Sequence, residues 1–73
     1  MSVQVTFRLP WRTEELSVPL PAPDASVADI LGPLMDERSK DSIFKVLNGR
    51  VCHDGDQIAD GDRLQVLPVI LGG

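Results

Sequence analysis

Residues 26–34 read SVADILGPL, and where this stretch falls decides the fold. Val27, Ile30, Leu31 and Leu34 recur at the 3.6-residue period of a helix with one apolar face. Ser26 is a good N-cap, because its hydroxyl can accept from a free first-turn amide. Asp29 stands three residues on, where a capping-box acid belongs, and its charge suits the positive helix end. Gly32-Pro33 interrupts the pattern. Pro33 lacks an amide donor and crowds the carbonyl of Asp29. The spacing predicts a kinked helix, or a short helix to about Leu31 followed by a second turn through Met35 to Arg38.

Everything on either side of this stretch is strand-like. Upstream, SVQVTFRL puts Val3, Val5, Phe7 and Leu9 on one face and Gln4, Thr6 and Arg8 on the other, the period of a half-buried strand. Pro10 ends it. PWRTEE reads as a polar turn carrying Trp11. LSVPL then alternates through Leu16, Val18 and Leu20, with Pro19 on the opposite face as at a sheet edge, so the two runs form an antiparallel hairpin. PAPDAS is a loop. Downstream, IFKVLNGRV is a strand, an Asn-Gly turn and the start of a return strand. CHDGDQIADGDRL is a loop with a brief extended piece around an apolar Ile58. RLQVLPV is the last strand, with Leu64 and Val66 on one face, Gln65 and Leu67 on the other, and Pro68 ending its ladder.

The order is therefore strand, strand, helix, strand, strand, and neither the helix nor the sheet can bury its apolar face alone. This predicts an α+β fold of the ubiquitin-like β-grasp type. A mixed sheet of four to five strands packs on one kinked helix, with the first and last strands adjacent and parallel at the centre. Residues 1–67 make the domain and 68–73 an extended tail ending in Gly-Gly.

Composition narrows the function. The chain has 73 residues, 42% of them apolar, which suits one compact domain. Its single cysteine allows no internal disulfide, and Cys52 beside His53 lacks the other ligands of a zinc site. A net charge of −4 argues against nucleic acid, whose binders need a basic face, and favours partners with basic docking surfaces. No apolar run approaches the roughly 20 residues that cross a bilayer. MSVQVTFRLP does not read as a signal peptide, so a cytoplasmic protein is expected.

LNGRV, then Ile58, then DGDRLQVLP, then the final GG resembles the ubiquitin-like sulfur-carrier family. That family includes the small subunit of molybdopterin synthase and the thiamine thiazole carrier. LSVPLP and SVADIL fit its second strand and helix start, so the resemblance covers nearly the whole chain except PWRTEE. It implies a protein that is not itself an enzyme and binds no cofactor. An E1-like adenylyltransferase would use ATP to adenylate the carboxylate of Gly73, with Gly72 beside it. Sulfur from a sulfurtransferase or desulfurase would replace the AMP, leaving a thiocarboxylate. An acceptor synthase would receive the sulfur in molybdopterin, thiamine or related biosynthesis. Leu71 departs from the pattern, being bulky where many members have a small residue, and this bears on which activating enzyme fits.

The residues suit that chemistry. An α-carboxylate titrates near about 3.5 and is ionised at neutral pH. Glycine has no Cβ and can enter a narrow tunnel at any φ. Residues 68–73, fully extended, reach at most about 20 Å. Pro68, Val69, Ile70 and Leu71 would meet a partner groove, each large apolar residue contributing on the order of 1.5–3 kcal/mol gross. The apolar tail packing back on the sheet is the alternative. Phe44, Val46 and Leu67 form one candidate partner face. Lys45 leaves the face assignment open, because it shares the opposite face with Ile43 and Leu47.

Trp11 is either a binding anchor or a small cluster over the hairpin. Cys52 reads as structural and His53 as a solvated loop residue. The Asp-Gly pairs are explained by turn chemistry and lack EF-hand spacing. Two other functions stay open: a ubiquitin-like modifier joined to lysines through Gly73, and a β-grasp interaction module without tail chemistry.

Overall fold

A computed structural model describes residues 1–35 and 42–69. Strands β1 (Ser2–Leu9) and β2 (Arg12–Pro19) are followed by helix α1 (Val27–Leu31) and a 3-10 turn (Gly32–Leu34). Strands β3 (Ile43–Leu47), β4 (Arg50–Cys52) and β5 (Arg63–Pro68) complete one sheet in the order β2-β1-β5-β3-β4. β1 and β5 run parallel at its centre, and every other pairing is antiparallel.

The first hairpin is tighter than its polarity suggests. Leu9 pairs with Arg12, so the turn is only Pro10-Trp11, and β2 begins at Arg12 rather than at Leu16. Thr13, Glu14 and Glu15 belong to the strand. They are polar because β2 is the outermost strand and all three are exposed. Arg12 also ties this hairpin to the helix layer. Its guanidinium lies 3.9 Å from the centroid of the Phe7 ring, and its Nη1 donates to the Leu34 carbonyl at 2.5 Å, at the end of the 3-10 turn.

The second hairpin turns at Asn48 and Gly49, with φ of 51° and 88°. Positive φ at both central residues is the two-residue turn that matches strand twist. The Asn48 side chain also fixes the entry of β5. Its Oδ1 accepts from the Arg63 amide at 2.9 Å, and its Nδ2 donates to Asp62 at 3.0 Å.

The helix is capped as its residues suggest. Asp29 donates its amide to the Ser26 hydroxyl, and Ser26 donates its amide to the Asp29 carboxylate. The loop ahead of β5 supplies further acceptors to the helix start: Val27 donates to the Asp56 carbonyl at 2.9 Å and Ala28 to that of Asp54 at 3.0 Å. These are amides that a helix cannot satisfy within itself. The break falls where Pro33 predicts, but the second turn spans Gly32–Leu34 and ends before Met35, which is extended at φ −127°, ψ 145°. Pro33 sits at the start of that turn, where its missing amide is an orphan anyway. Asp36 to Arg38 lie outside the described residues.

The core lies between the helix and one face of the sheet. Val3, Val5, Phe7, Leu64 and Val66 line the sheet side, and Val27, Ile30 and Leu31 the helix side. Ile58, fully buried, closes the end under the loop. Among the described residues no polar or charged side chain is buried.

Candidate functional site

The site is built around the C-terminal end of β5, the central strand of the sheet. Leu64 and Val66 point into the core, so Gln65 and Leu67 face outward. Pro68 does not end the pairing. It lies within β5 opposite Ile43, and the Val69 amide donates to the Ser42 carbonyl at 2.9 Å. Successive amides of a strand point to opposite sides. Those of Leu67 and Val69 face β3. The amide that Pro68 lacks would face β1, where the paired register ends at Val66 opposite Phe7. Proline is therefore tolerated inside this strand, and the pairing runs one residue past it. Val69 is 40% exposed. Ile70, Leu71, Gly72 and Gly73 lie outside the described residues.

The register also settles which side chains share a face. Phe44 pairs with Leu67, and Val46 pairs with Gln65 on one side and Val51 on the other. Cross-strand partners point the same way. Phe44, Val46, Val51 and Leu67 thus form an apolar band across β4, β3 and β5 on the face away from the helix. The first two and Leu67 are half-buried and Val51 is 67% exposed. Sequence reading missed Val51. Its signal was the alternation of Val51 with the buried Cys52 immediately after the Asn-Gly turn.

Ile43, Lys45 and Leu47 face the helix, and Ile43 and Leu47 pack on the core. Lys45 is accommodated there by snorkelling. Its stem runs along apolar surface, its side chain is 17% exposed, and its ammonium pairs with the Asp54 carboxylate. Together with Ala28, Leu31, Gly32, Met35 and Ile43 this pair lines a cleft of about 70 Å³ between helix and sheet.

The remaining candidates separate by burial. Cys52 is buried, and desolvation, then the nearby Asp56, pushes its thiol pKa above the ordinary value. Lys45 opposes this shift, and Asp54 adds to it. A thiol held protonated is a poor nucleophile, so Cys52 is a packing residue. His53 is exposed, its amide donating to the Asp56 carboxylate at 2.9 Å. Trp11 is 56% exposed at the tip of the first hairpin and takes no part in the core. Because β1 and β5 are parallel, that tip lies at the same end of the sheet as the exit of β5. Among the described residues no group of three His, Cys, Asp or Glu is placed to hold a metal, and no helix is long and apolar enough to cross a membrane.

Three solved structures match the whole chain over their own whole length. SAMP1 from Haloferax volcanii is 23% identical with a TM-score of 0.78. A chain of the complex of subunits 1 and 2 of molybdopterin-converting factor from Helicobacter pylori 26695 is 25% identical with a TM-score of 0.68. The thiamine biosynthesis protein ThiS from Geobacter metallireducens is 23% identical with a TM-score of 0.67. No protein-family model and no curated protein matches the chain. The fold is the ubiquitin-like β-grasp, as the order of its elements predicts.

Proposed function

We propose that this protein is a sulfur carrier whose working form presents Gly73 as its terminal residue. The observation that carries the reading is the placement of the last strand. β5 is held between β1 and β3 in the middle of the sheet, and its pairing continues to the Val69 amide. The Gly-Gly pair follows in sequence within four residues of that anchor. A rigid body thus fixes where the reactive end begins. Two of the matched proteins bear the names that the sequence resemblance implied, one a thiamine biosynthesis protein and one a subunit of molybdopterin-converting factor.

In this reading the Gly73 carboxylate attacks the α-phosphorus of ATP inside an E1-like adenylyltransferase, and pyrophosphate leaves. A sulfur donor then displaces AMP from the acyl carbon. The thiocarboxylate formed gives its sulfur up in an acceptor synthase. The chain supplies no catalytic group: it supplies the acyl end, its reach and the surface by which partners recognise it. Phe44, Val46 and Leu67 form the centre of that surface, with Val51 at its edge. Pro68, Val69, Ile70, Leu71 and Gly72 lead from it into the partner. The pathway that receives the sulfur is molybdopterin, thiamine or a related biosynthesis.

Intact-mass measurement tests this directly. After incubation with an activating enzyme, ATP and a sulfur donor, the chain should gain the mass difference of one oxygen exchanged for sulfur. Lysine conjugates of higher mass would instead make it a protein modifier. An unaltered mass under these conditions would leave a plain interaction module.

A further inference from the structure

The face of the sheet turned away from the helix has a charge opposite to that of the chain. The protein has 11 acids against 7 lysines and arginines. Yet among the described residues that face carries Arg8 and Arg63 against a single acid, Glu15, which accepts from the Gln4 side chain at 3.3 Å. Both arginines are exposed, and neither side chain has a hydrogen bond or ion pair among the described residues. On the helix side of the sheet, Arg12 and Lys45 are paired with Glu14 and Asp54, and Arg50 lies exposed on β4 opposite Leu47.

Both lie along the β1–β5 flank of the apolar band. Arg63 lies opposite Gln4 at the start of β5. Arg8 is four residues further along β1, about 13 Å away. Extending the parallel register by one residue places Arg8 alongside Leu67, next to the exit of β5. A partner that takes the tail and covers Phe44 and Leu67 therefore meets both guanidiniums at its rim. Guanidinium is weakly hydrated and grips a carboxylate through paired N–H donors, which suits it to such a contact.

We infer that the adenylating partner docks on this face with carboxylates set to pair with Arg8 and Arg63 beside the apolar contact. This rests on the carrier reading above and adds the chemistry of the partner's surface. The two cations act on encounter and register, while the apolar band supplies most of the buried area. They select an acidic docking surface for a chain that is itself acidic, and like charge elsewhere on the two bodies disfavours other orientations.

The test is ATP–pyrophosphate exchange driven by the full chain on an adenylating enzyme. The double variant Arg8→Glu/Arg63→Glu should lower kcat/KM about tenfold or more at low ionic strength, mainly through KM. The gap should narrow as salt is raised, because rim charges are screened. Arg8→Lys/Arg63→Lys should recover part of the loss. Arg50→Glu is the control. It makes the same Arg-to-Glu change at one exposed position opposite Leu47, on the helix side of the sheet, and should leave exchange unchanged. Equal exchange by the double-Glu variant and wild type, or an equal loss in Arg50→Glu, would overturn the inference. So would a defect confined to the later sulfur transfer. Absence of exchange by the wild-type chain would instead remove the carrier reading, and this inference with it.

Discussion

The Val69 amide donates to the Ser42 carbonyl at 2.9 Å, one residue beyond a proline that could have ended the sheet. This bond carries the pairing of the last strand to Val69, the last of the described residues. Replacing Val69 by Pro removes the donor without touching the core. The expected loss is about 0.5–1.5 kcal/mol of unfolding free energy, the usual net worth of one such bond. Denaturant titration would measure it. In the wild-type chain the Val69 amide should show hydrogen-exchange protection, and rapid exchange there would mean that the pairing ends at Pro68 in solution.

Deleting Gly73 should separate folding from charging. The residue lies beyond the last paired strand, so the unfolding midpoint should stay within about a degree or two of wild type. Adenylation should fall below detection, because the acyl group would end one residue short of the nucleotide. Truncated protein that still supports pyrophosphate exchange at the wild-type rate would remove Gly73 from its proposed role.

Leu67→Asp places a charge at the centre of the outward apolar band, opposite Phe44. Exposure on that face lets the fold keep the new side chain at a cost of about 1 kcal/mol. Partner binding should weaken at least tenfold, since the carboxylate would be desolvated within an apolar contact and would compete with the partner for Arg8 beside it. The pair of measurements, thermal unfolding and the KM for the chain as substrate of the activating enzyme, checks both halves. A weakened fold with unchanged KM would place the partner surface elsewhere.

The buried Cys52 thiol has its pKa raised by desolvation and by Asp56 and Asp54. The folded chain therefore holds this proton more tightly than the unfolded chain. The associated stability is fully present below the unfolded thiol value, about 8.5, and is lost as pH rises through the folded value. Unfolding free energy should decline across that alkaline range, and Cys52→Val should flatten the decline. Thiol modification of the native protein at neutral pH should be slow compared with the denatured protein. Fast labelling of the native thiol would count against its burial.

What could be read from the residues alone was short-range. Helical spacing from Val27 to Leu34, the Ser26–Asp29 cap and the Asn48-Gly49 turn each depend on neighbours within a few positions. Each appears as expected. The errors fell where a local signal is silent or ambiguous. Arg12 to Glu15 are polar on both faces, because an edge strand has only one paired side and little to bury. Such a stretch looks like a turn until its register with β1 is seen. Pro68 looks like a stop, but the cost of a proline depends on whether its missing donor faces a partner strand. Lys45 looks misplaced among Ile43 and Leu47 until Asp54, nine residues away, is brought over it.

The pattern of apolar residues and turn-formers was sufficient to determine the element order and hence the β-grasp, because a sheet face and a helix face must cover each other. It also placed Gly72 and Gly73 a few residues after the last strand, which is a matter of covalent order alone. The tertiary structure decided the rest. It chose which face of β3 and β5 looks outward and gathered Phe44, Val46, Val51 and Leu67 into one band. It also set Arg8 and Arg63 beside that band, neither of them in an ion pair among the described residues. Those relations join residues far apart in sequence, and only strand register and the closure of the sheet bring such residues within reach of one another.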